Sequence, residues 1–186
     1  MTTEANWKLI HENFMESYHL PFVHRGSLGK QESIGVARGF EASQAYSIQR
    51  SIKHLDSPRG LAHPFNTLLT GDWRRTTVVL CVFPTLLLIL CPDHLWYLLT
   101  HPDGAGWTRV SFGLSYAPEV LADVGKEALA EKWRPFYANI NAEDQAVMES
   151  VQKAVRSPLA LPGRLSPHER FTLDLARYLV AGLGRE

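Results

Sequence analysis

Residues 6–24 read NWKLIHENFMESYHLPFVH, and the interpretation of the rest of the chain starts from this stretch. Its apolar side chains recur at steps of three and four, which predicts one buried helix face made of Trp7, Ile10, Phe14 and Tyr18. A polar stripe with a similar period is formed by Glu12, Glu16 and His19. Pro21 disfavours helix at Leu20, so we expect one helix that breaks there and leaves His24 on the following turn.

The two histidines on either side of this break suggest a metal site. A helical His19 and a post-helical His24 can converge on one point from different backbone segments. The spacing alone is a weak indication, because the chain contains 8 histidines. We expect the others to have structural or solvated roles; they are His11, His54, His63, His94, His101 and His168.

The same stretch closely resembles the start of the catalytic domain in the large (alpha) subunit of Rieske non-haem iron ring-hydroxylating oxygenases. That family has an Asn-Trp-Lys opening, a Glu-Asn pair, an acidic residue just before the first ligand histidine, and a second ligand histidine shortly after it. The matching residues here are Asn6, Trp7, Lys8, Glu12, Asn13, Glu16, His19 and His24. The resemblance implies that His19 and His24 bind a mononuclear Fe(II).

A third metal ligand must come from elsewhere, and two histidines with one carboxylate are typical of mononuclear Fe(II) oxygenases. Residues 140–152, INAEDQAVMESVQ, also resemble the family, which has a Glu-Asp pair followed by a glutamate and a Val-Gln pair. In that alignment the aspartate is the iron ligand, so the resemblance implies Asp144 rather than Glu143. A solvated helix residue is the alternative for Asp144.

Glu16 occupies the position of the family's bridging acid. In the family this acid links an iron-ligating histidine to a Rieske-ligating histidine of a neighbouring subunit, so Glu16 is expected to orient His19 and shape the electron path. Most ring-dihydroxylating members have Asp here, and Glu is similar to members that act on betaines, choline and carnitine. Asn13, one turn earlier on nearly the same side, is a further candidate site residue. A solvated helix position is the alternative for both.

The cysteines in this sequence cannot provide the ligands of a Rieske domain. A Rieske [2Fe–2S] centre needs two Cys and two His, but Cys91 and His94 form a single Cys-x2-His pair and Cys81 has no histidine nearby. We therefore expect a single mononuclear-iron catalytic domain over residues 1–186, with N-terminal truncation as an open alternative. The [2Fe–2S] cluster would lie on a separate chain or a missing domain, unless the domain has lost turnover.

Charge and hydrophobicity exclude several classes of partner. Lys plus Arg and Asp plus Glu number 19 each, so the formal net charge of zero gives no reason to expect nucleic acid or an anionic membrane. The most apolar run, residues 77–90, is too short to span a bilayer and contains Pro84. No signal-peptide pattern is present, and together with two cysteines this predicts a cytoplasmic protein with free thiols.

The remaining sequence predicts an α+β fold. Strands are expected at residues 45–53, 73–83, 86–90, 95–101 and 107–116, separated by turn residues, and residues 25–44 are expected to be a loop beside the site. Helices are expected at 118–132 and 136–156 with a break at Pro135, and from a capping box at Ser166 to Leu183. The inner face of this last helix is expected to carry Phe171, Leu175, Tyr178 and Leu179. This order predicts C-terminal helices on an antiparallel sheet, and the resemblance implies a helix-grip (START/Bet v 1-like) fold.

The resemblance implies a catalytic domain that activates O2 and hydroxylates an aromatic or methylated-amine substrate. Electrons would come from a Rieske or ferredoxin-type donor and its reductase, so the chain alone is expected to be inactive. Family members are commonly trimers, which makes a homotrimer one candidate assembly.

The alternative is a non-catalytic helix-grip module that binds a small molecule and keeps a vestigial metal site. Zinc hydrolysis at the same residues lacks an evident general base. Aromatic residues that could line a pocket are Trp73, Trp96, Tyr97 and Phe112.

Overall fold

A computed structural model of the chain describes residues 1–28, 38–39, 45–53, 60–166 and 169–184. Its elements in chain order are β1 (Thr2–Thr3), α1 (Trp7–Met15), α2 (Leu20–Val23), β2 (Arg38–Gly39), β3 (Tyr46–Ile52), a 3-10 turn (Gly71–Arg75), β4 (Thr76–Val82), β5 (Leu86–Leu90), β6 (His94–Pro102), β7 (Thr108–Tyr116), α3 (Pro118–Val124), α4 (Lys126–Val155) and α5 (Arg170–Leu183).

The described strands form one antiparallel sheet in the order β1-β7-β6-β5-β4-β3-β2. Side chains alternate across a sheet, and here one face is buried against the helices through Cys81, Leu87, Ile89, Trp96, Leu98 and Val110. Helix α1 packs on β4 and β6, α5 packs on β3, and α4 packs on α1 and α2. The predicted α+β fold, an antiparallel sheet with C-terminal helices, is confirmed.

The predicted meander agrees with the structure from residue 45 onward. Strands β3 and β5 lie within the predicted ranges, β7 begins one residue later than predicted, and β6 extends one residue further at each end. β4 begins at Thr76 because residues 71–75 form a 3-10 turn, in which Thr76 Oγ1 donates to the Asp72 carbonyl at 2.7 Å. The predicted loop at 25–44 falls mostly outside the described residues, of which 38–39 form β2.

The prediction of one helix up to Leu20 is wrong, and Glu16 explains why. Helix α1 ends at Met15, and Glu16 has an extended backbone with φ −87° and ψ 156°. Its carboxylate Oε2 accepts the backbone N–H groups of Tyr18 at 2.7 Å and His19 at 3.2 Å. These local bonds compete with the bonds of a continuing helix. The expected stripe of Glu12, Glu16 and His19 on one helix is therefore not formed.

Pro21 also has a different role from the predicted one. It lies in the first turn of the short helix α2, where backbone N–H groups have no acceptor within the helix, so a residue without an N–H loses no hydrogen bond. Pro21 therefore starts a helix instead of ending one. His19 is the N-cap of α2 and His24 is its C-cap. One turn of helix thus separates the two histidines, and both lie at helix ends.

The predicted helix break at Pro135 is wrong as well. The break lies at Gly125, whose φ of +85° suits a residue without a Cβ, and α4 then runs unbroken for 30 residues through Pro135. Pro135 lies on the exposed side of α4, where a carbonyl left without its helical donor can bond to water. The inner side of α4 carries buried Trp133, Tyr137 and Ile140.

The C-terminal helix agrees with its prediction at the inner face. α5 begins at Arg170 and ends at Leu183, with Phe171 and Leu175 buried. One of the two hydrogen bonds of the predicted capping box is present, in which the Ser166 backbone N–H donates to Glu169 Oε2 at 2.7 Å. The intervening residues 167–168 lie outside the described part of the chain.

None of the helices in the described part of the chain combines the length and the apolar character needed to cross a membrane.

Candidate metal centre

Three potential ligand atoms meet where α2 approaches α4. One ligand atom from each of His19, His24 and Asp144 lies within 4.8 Å of the others. The two imidazole rings are 5.1 Å apart between centroids and nearly perpendicular, with an interplanar angle of 72°. His24 is almost fully buried, and Asp144 comes from the middle of α4. The structure thus brings the three predicted ligands together, while their metal binding stays a prediction.

A carboxylate holds the Nδ1 atom of each histidine. Glu16 Oε1 makes a short contact with His19 Nδ1, and Glu143 Oε2 lies 2.7 Å from His24 Nδ1. Each carboxylate favours the tautomer with the proton on Nδ1, so Nε2 keeps a lone pair for a metal ion. These Nε2 atoms are the ones that face Asp144 Oδ1, at 3.5 Å from His19 and 3.0 Å from His24.

Asp144 provides the test of whether a metal ion fits this arrangement. Its Oδ1 is buried and has no hydrogen-bond partner of good geometry among the described residues, although His24 Nε2 lies 3.0 Å away. A buried carboxylate oxygen without a partner is costly. A cation between Oδ1 and the two Nε2 atoms would satisfy it, and two imidazoles with one carboxylate suit Fe(II). The residues present therefore fit the expected iron.

The charges around His24 also indicate a site built for a cation. Burial by itself lowers the pKa of His24, but Asp144 and Glu143 outweigh it and raise that pKa above its ordinary value. Burial likewise favours a raised pKa for Glu143, whereas Ser27, His24 and Asn139 together hold it below the ordinary value. The site thus stabilises both a positive charge between the carboxylates and the ionised form of Glu143.

The role of Glu143 is not predicted from the sequence. The sequence indicates it only as an alternative ligand to Asp144, whereas in the structure its Oε2 contacts His24 and accepts the Ser27 hydroxyl at 2.6 Å. Its Oε1 accepts the Asn139 side-chain amide at 2.9 Å. The available signal was its place directly before Asp144, because adjacent helix residues point in different directions and only one can face both histidines.

Glu16 and Asn13 lie where the site meets two cavities. Glu16 is 9% exposed and contacts the His19 ring through one oxygen, while its second oxygen accepts the backbone N–H groups of Tyr18 and His19. Asn13 lines the same cavities, but its side chain makes no hydrogen bond to the described site residues. Glu16 therefore has a contact that can orient the His19 ring, whereas Asn13 only lines the cavities beside the site.

A cavity of about 70 Å³ adjoins the three candidate ligands. Its apolar walls come from Phe14, Leu28, Val79, Ile89, Trp96 and Ile140. Of the aromatic residues proposed from the sequence, Trp96 lies in this wall. Trp73, Tyr97 and Phe112 do not: Trp73 is half exposed, Tyr97 alternates onto the opposite face of β6, and Phe112 packs at the edge of the core.

Two other histidines are buried with their own partners, in agreement with a structural role. His11 Nδ1 lies 2.9 Å from Cys81 Sγ, and burial lowers the pKa of His11 to about 4. His94 lies between Asp93 and Tyr137. The predicted structural or solvated roles of His54 and His168 fall outside the described residues.

Solved structures share this fold. A quaternary ammonium Rieske monooxygenase, CntA, bound to an inhibitor, superposes with a TM-score of 0.69 at 19% identity, covering 98% of this chain and 48% of that one. Dicamba monooxygenase bound to dicamba gives 0.69 at 13% identity, with 100% and 58% covered. NdmA of Pseudomonas putida CBB5 with caffeine gives 0.66 at 17% identity, with 97% and 49% covered. The chain thus spans about half the length of these proteins.

Sequence comparisons agree with the resemblance seen in residues 6–24 and 140–152. No curated protein sequence matches the chain. The model of one protein family, described as ring hydroxylating alpha subunit (catalytic domain), matches residues 1–181. Since this match covers nearly the whole chain, the chain belongs to the catalytic-domain family of ring-hydroxylating alpha subunits.

Proposed function

We propose that this domain binds one Fe(II) through His19, His24 and Asp144 and serves as the oxygenase part of a Rieske-type enzyme. The observation that carries the proposal is the set of hydrogen-bond partners around the three ligand residues. Both histidines have Nδ1 tied to a carboxylate, and both Nε2 atoms face a buried aspartate oxygen that accepts no hydrogen bond from the described residues. This arrangement leaves a metal ion as the missing partner.

When bound, iron would supply O2 activation for hydroxylation of a substrate held next to it. The residues of the chain have separate tasks around that chemistry. Glu16 and Glu143 fix the ring orientations and keep the histidine protons on Nδ1. The apolar wall at Phe14, Ile89 and Trp96 limits the access of water and contacts the apolar part of a substrate. An aromatic or methylated-amine compound is the substrate class that we propose.

Electrons would come from outside this domain, through Glu16. A second cavity, of about 510 Å³, lies on the α1–α4 side of the site and is lined in part by Glu12, Tyr18, Met148 and Glu169. Asn13, Glu16 and His19 line both this cavity and the one beside the metal centre. We propose that a Rieske or ferredoxin-type donor docks near this second cavity. One similar solved structure, of a quaternary ammonium Rieske monooxygenase, is described with inter-subunit electron transfer, and a homotrimer would allow it here.

Iron analysis of matched variants tests the metal site. The purified protein, loaded with Fe(II) without oxygen and then desalted, is expected to retain close to one iron per chain. Asp144→Ala should abolish this retention. His63→Ala is the control, because His63 also contacts an aspartate, Asp123 at 3.1 Å, but lies outside the candidate site. Equal iron in wild type and Asp144→Ala would contradict the proposal.

Turnover with and without a donor tests the electron supply. Iron-loaded protein with NADH and a generic reductase is expected to give no sustained hydroxylation, and a Rieske-type partner should be required. Steady product formation without that partner would contradict the proposal that a separate Rieske-type donor supplies the electrons. Uptake of one ligand per chain by a protein that retains no iron would instead favour the non-catalytic binding module.

A further inference from the structure

The cavity beside the metal centre is small for a site that holds a substrate. Its volume is about 70 Å³, and the three candidate ligands His19, His24 and Asp144 lie in its wall. An apolar protein cavity that takes up benzene has a volume of roughly 150 Å³. A six-membered aromatic ring is therefore too large for the space next to the candidate ligands, whereas a group of the size of a methyl group fits there.

The apolar wall of this cavity is held in place by the core behind it. Trp96 is 3% exposed, and its ring stacks on Tyr137 with centroids 4.5 Å apart and contacts Phe14 at 6.0 Å between centroids. Ile89 and Ile140 are also buried. Side chains that are packed on their far side cannot retract without disturbing a close-packed interior. The wall therefore resists expansion by a bulky group.

The cavity reaches the protein surface on its polar side. Three of its polar lining residues, Asn13, Ser17 and Ser51, are partly exposed, in contrast to the buried apolar wall. A substrate that is larger than the cavity can therefore place one small group next to the candidate ligands and leave its remaining part at this opening. The size limit thus applies to the group that is oxidised and not to the whole substrate.

Dioxygen has to enter the same cavity, because it reacts beside the metal ion in oxygenases with two histidines and one carboxylate. The space next to the ligands must then hold both O2 and the group that is oxidised, which reduces the room for the substrate further. Ring dihydroxylation needs two adjacent ring carbons at this point, whereas the oxidation of a methyl group needs a single carbon. The cavity favours the second reaction.

We propose that the group oxidised at this site is a terminal methyl group, and that Phe14, Ile89 and Trp96 exclude aromatic rings from the space next to the metal centre. The oxidation rests on the proposed function, whereas the size limit is a property of the cavity. One C–H bond of the methyl group becomes C–O–H with one atom of O2. The other oxygen atom leaves as water, with two electrons from the Rieske-type donor and two protons. A CH2OH group formed on nitrogen or oxygen then separates as formaldehyde and leaves N–H or O–H on the substrate.

Xenon and benzene test the size limit, because both probes are uncharged and do not respond to the charged groups of the site. Binding to metal-free protein is followed through the amide and indole N–H signals in NMR spectra. Xenon is expected to shift the Trp96 indole signal until it saturates, and benzene should leave this signal unchanged. Ile89→Ala enlarges the cavity and should allow benzene to bind.

Leu88→Ala is the matched control, because Leu88 precedes Ile89 on β5, lies on the other face of the sheet and does not line the cavity. The proposal is overturned if benzene binds to wild type as well as to Ile89→Ala, if xenon does not bind, or if Leu88→Ala gains the same benzene binding. Val79→Ala enlarges the same wall from β4 and replaces Ile89→Ala if the latter does not fold.

Anisole tests the choice of the methyl group, since it offers a ring and a methyl group in one molecule. Fe(II)-loaded protein is supplied with hydrogen peroxide, which provides the oxygen atom and the two electrons. Formaldehyde and phenol are expected in excess over methoxyphenol, and Ile89→Ala should shift the products towards methoxyphenol. Methoxyphenol as the main wild-type product would overturn the proposal.

Iron retention, measured on the same samples, separates this proposal from the proposed function. Benzene binding next to the ligands in a wild type that retains iron would reject the size limit alone. Xenon uptake by a protein that retains no iron would reject the oxygenase function, and the methyl oxidation with it.

Discussion

Two buried groups of histidine and carboxylate in this domain differ in how completely the imidazole is satisfied. In the His94 cluster, made of Asp93, His94 and Tyr137, Asp93 Oδ1 lies 2.7 Å from Nδ1 and the Tyr137 hydroxyl lies 2.5 Å from Nε2. The ring also stacks on Trp133 with centroids 4.1 Å apart. In the candidate metal centre each imidazole has a carboxylate on Nδ1, and its Nε2 faces the buried Asp144 Oδ1. The difference teaches that a candidate ligand is marked by an Nε2 that faces a buried carboxylate, because the Nε2 of the structural His11 also lacks a partner among the described residues.

The largest expected effect is on iron binding, and it distinguishes the two groups directly. His24→Ala removes one of three ligands and is expected to weaken Fe(II) binding by more than roughly 100-fold. His94→Gln alters an equally buried histidine and should leave iron stoichiometry unchanged. Competition against a calibrated chelator measures both affinities. A comparable loss of iron in the two variants would mean that burial, and not the free nitrogen, governs metal binding.

Substitution of His94 should lower the stability of the fold, although it should leave iron binding unchanged. His94→Phe leaves Asp93, which is 8% exposed, without its partner, and is expected to lower the free energy of unfolding by about 3 kcal/mol. Urea denaturation in the presence of a chelator measures this loss. His63→Phe is the matched control, since the His63 pair with Asp123 is exposed on the aspartate side and contributes little. Equal stability of His94→Phe and wild type would contradict the structural role.

The His94 cluster also predicts a pH dependence of stability. Burial by itself lowers the pKa of His94, but Asp93 and Cys91 outweigh it and raise that pKa to about 9. The folded state then binds a proton more tightly than the unfolded chain, so this stabilisation is complete below about pH 6.5 and is lost as the pH rises through about 9. Metal-free wild type should lose about 2 kcal/mol between pH 7 and pH 9. His94→Gln should lack this loss, and parallel curves for both proteins would refute the prediction.

A smaller effect is expected from the carboxylates behind the ligands. Glu143→Gln keeps the shape of the side chain but weakens its hold on the His24 ring, so Fe(II) affinity should fall by roughly tenfold. Glu149→Gln is the control on the same helix, because Glu149 contacts Thr3 and Gln145 instead of a histidine. Chelator competition measures both variants, and unchanged affinity in Glu143→Gln would show that His24 is oriented by packing alone.

Much of the fold could be predicted because local patterns and the folded structure agree. The turn residues between β4 and β7 set strand lengths almost to the residue, and the apolar period of α5 identified its buried positions Phe171 and Leu175. The helix boundaries near Glu16 and Pro135 were wrong for one reason. Periodicity describes which face is buried, but the end of a helix depends on individual hydrogen bonds such as those of the Glu16 carboxylate.

The candidate site could be predicted in its ligands but not in its supporting contacts. Residues that match a family motif are recognisable in the sequence, and the structure brings His19, His24 and Asp144 together. The contact of Glu143 with His24 joins residues 119 positions apart, and no local pattern encodes such a distance.

Anomalous scattering at the iron absorption edge, from crystals of the Fe(II)-loaded protein, tests the central claim most directly. We expect one strong peak per chain within bonding distance of His19 Nε2, His24 Nε2 and a carboxylate oxygen of Asp144, with Glu16 and Glu143 still on the Nδ1 atoms. A peak at any other set of residues, or no peak in a protein that has otherwise kept this fold, would contradict the account.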